Sequence, residues 1–244
     1  MQLDISGKSN IRQIAAMDKT TPAHGLANLG PLAQLSAGRL PARLLRLLVG
    51  LFLYGLSVAL MVRGALGASP WDVFHLGAAR HLPLGLGTTM VLVSLLVLLA
   101  WIPLRQWPGL GTIANSALVG PFADLGLAWL PSPGALPAQL AFLAGGIVLC
   151  GLATATYVGA QLGPGPRDGL MTGLARRTGW SLRAVRTGIE VTVLAAGAAL
   201  GGTLGLGTVA FALAVGPITQ ALLPHLVVRL DGGAPTDCLA KEAP

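Results

Sequence analysis

The 244-residue chain is 53% hydrophobic and only 10% charged, with a mean hydropathy of +0.71, which excludes an ordinary soluble domain and places it in the membrane class. Its formal net charge is +7, but the arginines flank apolar segments instead of forming a surface stripe, so the charge points to membrane topology and not to nucleic acid. Cys150 sits in an apolar run and Cys238 near the end. That usage supports neither a disulfide framework nor a thiolate metal site.

The polar opening "MQLDISGKSNIRQIAAMDKTTPAHG" has no short apolar core after a basic start, so neither a signal peptide nor a presequence is expected. Residues 1–40 read as a polar, disordered tail. Apolar runs of membrane-crossing length, about 20 residues, follow at Leu44–Val62, Leu86–Leu104, Leu110–Leu130, Leu136–Val158, Val185–Leu200 and Leu204–Val228. The fifth is interrupted by Arg186 and Glu190, which are costly at membrane depth. Between the first and second runs, and again between the fourth and fifth, lie Pro70–His81 and Pro166–Arg177, helix-compatible but too short to cross. Residues 230–244 form a second polar tail.

Slid against itself by 96 residues, the chain aligns Leu45–Asp124 with Ala141–Gln220 without a gap, and about a third of the aligned positions are identical. The matches include "GLGT" at Gly109–Thr112 and Gly205–Thr208, "VGP" at Val119–Pro121 and Val215–Pro217, and Leu66, Gly67, Pro70 and Asp72 with Leu162, Gly163, Pro166 and Asp168. Scattered leucine matches follow from apolar composition, but three glycine-proline motifs in one register do not. The chain is two copies of one unit, 41–130 and 136–229. Each copy holds three expected spans, an odd number, so the second enters the membrane from the opposite side. The expected fold is an all-α polytopic membrane protein of six transmembrane helices in two inverted three-helix repeats, each with an additional short broken or re-entrant helix. Placing both termini in the cytoplasm gathers Arg39, Arg43, Arg46, Arg105, Arg167, Arg176, Arg177 and Arg229 inside and leaves Arg63 and Arg80 outside, in keeping with the positive-inside rule.

In "SPWD" and "GPRD" the local chemistry reads as a helix start. Ser69 or Gly165 is the cap, Pro70 or Pro166 the first helical residue, and Asp72 or Asp168 an anion near the exposed amides. The functional reading of the same motif is a pair of discontinuous half-helices lining a cavity, with Gly67 and Gly163 in the break. Arg183, Arg186 and Glu190, spaced three and four apart, share a helix face, where a buried ion pair competes with a substrate or coupling role. Arg167 stands opposite Trp71 in the alignment and Glu190 opposite Ser94; these charges are particular to the second copy. Arg167 either holds an anion at the helix start or pairs with Asp168 or lipid headgroups, the latter favoured. Asn115 and Asp124 are the polar groups of the third span, read as interior hydrogen bonds or substrate contacts. Gly111 and Thr112, with Gly207 and Thr208, start the third and sixth spans, the glycines allowing close helix approach. A third "GLGT", Gly85–Thr88, falls out of register and reads as a coincidence of composition. Gly55 with Ala59 and Gly151 with Ala155 are small-residue packing pairs.

"LGASPWDV", "GLGTIANSALVGPFADL", "LGPGPRDGL", Ile189–Glu190 and the second "GLGT" resemble the YczE/YyaS/YitT-type bacterial integral membrane proteins, most nearly the YczE-like branch, over about Leu44 to Leu226. The resemblance implies a multi-pass bacterial membrane protein and adds no activity. His24, His75, His81 and His225 lack metal-ligand spacing, with His75 and His81 read as interfacial. No serine sits in a nucleophile elbow, so no enzyme, metal or cofactor is expected. The function expected from the repeat and the asymmetric charges is a secondary transporter or permease of the bacterial inner membrane for a small molecule or ion, alone or as a homodimer; the competing expectation is a membrane-embedded substrate-binding or accessory, regulatory subunit of a larger envelope complex.

Overall fold

The computed structural model describes Gln34, residues 36–228 and Leu230. The expected tails otherwise lie outside the described residues. Gln34 itself is buried, so the end of the first tail is docked rather than loose. Eight α-helices are described: α1 (Leu40–Gly64), α2 (Pro70–His81), α3 (Leu86–Leu104), α4 (Leu110–Trp129), α5 (Leu136–Gly159), α6 (Pro166–Thr178), α7 (Leu182–Ala199) and α8 (Leu206–Leu226). Their boundaries repeat at the offset of the sequence alignment to within a residue, which makes α1–α4 and α5–α8 the two copies.

Four of these, α1, α3, α5 and α8, are long and apolar enough to cross a membrane. Six were expected. The two that fall short are α4, diluted by Asn115, Pro121, Asp124 and its glycines, and α7, which carries Arg183, Arg186 and Glu190. Polar residues lower the hydropathy of α4, and three charges set α7 apart, two of which, Arg183 and Arg186, are exposed.

Close packing follows the glycines. In α1, Gly50 is pressed against Tyr157, and its counterpart Gly146 in α5 against Met61, the counterpart of Tyr157. Gly55 abuts Phe122 and Ala123 of α4, while Gly151 abuts Ile218 and Thr219 of α8 at the same relative positions. Ala59 meets Gly126. Small residues let these backbones approach where helix contact has to come from van der Waals packing. The out-of-register "GLGT" is not a coincidence: Gly85 caps α3, a Cβ on Gly87 would run into Gly120 O of α4, and Gly87 N donates to Asp124 Oδ1 at 2.8 Å.

Four arginines fix which helix ends lie together. Arg63, ending α1, donates to Ser132 Oγ (2.9 Å) and to Leu127 O, near the end of α4. At the other end of α1, Arg46 donates to Leu226 O of α8 (2.8 Å). Arg43, fully buried, donates to Gln34 O and to Ala160 O (2.9 Å) and Gln161 O (2.7 Å) just after α5. Arg177 of α6 reaches Pro103 O of α3 at 2.6 Å.

The breaks before α2 and α6 are held crosswise. Gly67 and Gly163 take φ of +115° and +117°, a conformation that favours glycine. Leu162 O accepts from Gly111 N at 2.6 Å, and Leu66 O from Gly207 N at 2.8 Å. Each copy's "GLGT" therefore clasps the other copy's break. Thr112 Oγ1 adds a bond to Pro164 O at 2.6 Å. Thr208 Oγ1 is buried without a hydrogen-bond partner among the described residues.

Candidate functional site

The two short helices begin at a common place. Ser69 caps α2, its Oγ accepting from Asp72 N at 3.2 Å and donating to Asp72 Oδ2, which meets the amide donors left open at a helix start. Gly165 caps α6 with no side chain to offer. Asp168 Oδ2 instead accepts from Tyr157 Oη at 3.2 Å.

Around these starts lies a cavity of about 220 Å³. Its walls come from equivalent positions of both copies: Ser69 and Gly165, Trp71 and Arg167, Met90 and Arg186, Ser94 and Glu190, Asn115 and Phe211, Tyr54 and Cys150. A volume below the roughly 300–1,000 Å³ of drug-sized pockets suits a small solute. The charged wall is contributed by the second copy alone, through Arg167, Asp168, Arg186 and Glu190.

Arg167 does not take Asp168 as its ion partner. Its guanidinium lies 4.9 Å from the centroid of Trp71, its own counterpart in the first copy, and Nη2 is 3.9 Å from Asp72 Oδ1. A cation over an indole face is attracted by the ring quadrupole. Nη1 approaches Tyr54 Oη at 3.5 Å. These are long contacts for a group with five donors. Behind them Asp72, 1% exposed, lies 3.4 Å from His75 Nδ1. His75 is buried and not interfacial, because α2 is covered by α7 on one side and α3 on the other.

Arg186 Nε donates to Glu190 Oε1 at 2.9 Å, the i,i+4 pair that the spacing predicts. With exposures of 54% and 28% it is not a buried structural pair; it stands at the cavity wall. Arg183, one turn earlier, is exposed and outside the lining. Asp124 also lies outside it, held by Gly87 N, whereas Asn115 lines it. Gly67, Gly163, Gly111, Thr112, Gly207 and Thr208 build the clasps rather than the wall. Pro70 and Pro166 are at the cavity as first helical residues. Residue-by-residue reading missed Tyr54, Tyr157 and the burial of His75. Tyr54 faced Cys150 and Tyr157 faced Met61 in the repeat register, mismatches of the same kind as Trp71 with Arg167. Among the described residues no group of three or more His, Cys, Asp or Glu could hold a metal ion.

The opening of the site follows from one helix pair. In the first copy α3 packs along α4, whereas α7 and α8 form no comparable interface. Where α3 has Gly87 against Gly120, α7 has Arg183, and Gly216 of α8 has nothing near its Cα hydrogen. The cavity wall runs from α7 to α8 across that gap.

The profile of a family of unknown function, DUF6198, matches residues 41–224. An uncharacterized protein of Haemophilus influenzae is 39% identical over 75% of this chain and 84% of its own length. The uncharacterized membrane protein YczE of Bacillus subtilis is 35% identical over 75% and 86%. The uncharacterized protein YyaS of the same organism is 26% identical over 72% and 90%. No solved structure matches the chain. With four apolar helices of spanning length and these relatives, the chain is a multi-pass membrane protein belonging to the DUF6198 family, in which it is YczE-like.

Proposed function

We propose that the protein is a small-solute secondary transporter of the bacterial inner membrane, built of six spans in two inverted three-helix repeats with both termini cytoplasmic. The observation that carries the reading is the cavity at the joint start of α2 and α6, walled by equivalent residues of both copies. Broken helices meeting at a repeat interface are how such transporters present backbone donors to a solute inside a membrane. The inversion is supported by the helix-end contacts: the end of α1 lies with the α4–α5 connection, while its start lies with the ends of α5 and α8. On this reading α4 and α7 are the third and fifth of six crossings, with Asn115 of α4 and Arg186 and Glu190 of α7 at the cavity. Glu190 and Asp168 are the substrate or coupling carboxylates, with Arg186 the partner of Glu190 and Arg167 a separate cation on the same wall.

The test is flux. Solutes that differ in cells with and without the protein are offered to purified protein in liposomes. Uptake abolished in Glu190→Gln or Asp168→Asn is the expected result. Unchanged flux in both variants, or no flux together with a stoichiometric partner in mild detergent, overturns the reading in favour of an accessory subunit. Cysteines at Ser132 and Arg176 labelled from the same side of the membrane would overturn the inversion.

A further inference from the structure

We infer that the cavity binds a small zwitterion, one carboxylate and one ammonium on a short chain, with Arg167 taking the carboxylate and Asp168 the ammonium. This rests on the reading of the cavity as a solute site.

The charges on its wall are two guanidiniums, Arg167 and Arg186, and two carboxylates, Asp168 and Glu190. Arg186 and Glu190 satisfy each other at 2.9 Å. That leaves one under-partnered group of each sign. Among the described residues Arg167 has polar contacts only at 3.5 Å and 3.9 Å, although its flat fork is held in place by stacking on Trp71. A fixed guanidinium with unused donors is suited to a planar carboxylate. It also stands at the first turn of α6 and faces the start of α2, where amide dipoles favour negative charge.

Asp168 is the mirror case. It is exposed at the cavity wall, makes no ion pair among the described residues, and accepts one side-chain hydrogen bond, from Tyr157 Oη, with the backbone of Gly165 beside it and the guanidiniums of Arg186 and Arg167 acting only at longer range. Its counterpart Asp72 is buried against Ser69, His75 and Arg167. The shared aspartate thus serves as a cap and counter-ion in the first copy and stands open in the second. Tyr54 and Tyr157, their rings edge-on with centroids 6.2 Å apart, supply aromatic surface beside it, which an ammonium group tolerates and a second anion does not.

A purely cationic solute would leave Arg167 under-partnered in a partly buried site, and a purely anionic one would be placed against Asp168. Either leaves a charge that is costly to desolvate. One molecule carrying both charges meets both needs, and the volume of about 220 Å³ limits it to a small one.

Binding to the purified full-length protein tests this without requiring transport. L-alanine, β-alanine and γ-aminobutyrate place the two charges at increasing separation; N-acetyl-L-alanine lacks the cation and L-alaninamide lacks the anion. At least one of the three zwitterions should bind, with each blocked L-alanine form at least about tenfold weaker than that zwitterion, a loss of about 1.4 kcal/mol or more. Asp168→Asn should abolish the preference over the N-acetyl form, and Arg167→Gln the preference over the amide. Asp168→Glu should retain binding, which separates loss of charge from loss of fold. Binding of only the amide, binding of only the N-acetyl form, no binding by any of the three zwitterions, or unchanged discrimination in both variants overturns the inference. Zwitterion binding without flux would overturn the transport reading and leave this one standing. Flux of a solute that lacks either charge, with no zwitterion bound, would do the reverse.

Discussion

Thr112 and Thr208 occupy the same position in the two "GLGT" clasps, yet replacement by valine should act on them in opposite directions. Thr112 is fully buried; its Oγ1 donates to Pro164 O at 2.6 Å and accepts from Gly109 N at 3.2 Å. Valine keeps the shape and strands both partners, and a stranded buried group costs about 1–3 kcal/mol, so Thr112→Val should destabilise by roughly 2–4 kcal/mol. Thr208 Oγ1 is buried with no hydrogen-bond partner among the described residues, and Pro164 is replaced by Ala68 in the loop it faces. Removing an unpartnered hydroxyl recovers part of its desolvation, so Thr208→Val should be neutral or stabilising by up to about 1 kcal/mol. At roughly 2–4 °C per kcal/mol for a chain of this size, Thr112→Val should lower Tm by about 4–16 °C, while Thr208→Val should leave it level or raise it by a few degrees. Tryptophan fluorescence during heating of the detergent-purified protein reads both. A fall for Thr208→Val as large as that for Thr112→Val would refute the assignment of the two hydroxyls.

Arg43→Met should prevent accumulation of monodisperse protein, since it strands the carbonyls of Gln34, Ala160 and Gln161 in the interior; size-exclusion chromatography reads this, and Arg43→Lys should rescue only in part because one ammonium cannot reproduce the fork. Gly120→Ala should lower Tm markedly, because its Cβ would run into Gly87 O, whereas Gly216→Ala, with open space at the same position of the second copy, should leave Tm within about 2 °C. Trp101→Phe removes the indole donor to Pro166 O at 3.0 Å but keeps the ring near Gly169, so a loss of about 1–2 kcal/mol in thermal unfolding is expected, well short of a large cavity mutant.

Much of this architecture was legible in the sequence because its punctuation is local. Proline at the first helical position and glycine in the break mark α2 and α6 to within a residue, since those residues act through their own φ angles. The repeat offset carried the rest of the helix boundaries. What could not be read were distances between segments. Sequence alone offers Arg167 an anion, its neighbour Asp168 or lipid headgroups, whereas its guanidinium reaches Asp72 and Trp71 of the other copy. His75 looked interfacial because nothing local says that α7 will cover it. Gly85–Thr88 looked accidental because its partner, Gly120, lies in another helix. Hydropathy separates α4 and α7 from the other four long helices because Asn115, Pro121 and Asp124 dilute the one and Arg183, Arg186 and Glu190 charge the other.

The two copies share a frame and differ where function would need them to. Gly87 lets α3 close on α4, and Met90 on the same helix face is part of the buried core. At the corresponding positions α7 carries Arg183 and Arg186, with Glu190 opposite Ser94. A side chain of that size cannot enter a glycine-to-carbonyl contact, so Arg183 at the position of Gly87 keeps α7 from closing on α8, while Arg186 and Glu190 further along the same helix put charge on the wall. One set of differences therefore accounts for both properties of the site, its polarity and its opening. It also explains why the aspartate common to both copies has two fates. In the first copy it is sealed behind Trp71 and Arg167; in the second it stands beside the gap that the arginines of α7 hold open. Arg183→Gly together with Arg186→Met, which gives α7 the residues of α3, would be expected to draw α7 against Gly216 and shrink the cavity. Spin labels placed on the two helices would report this as a shorter distance, and an unchanged distance would show that something other than these side chains keeps the helices apart.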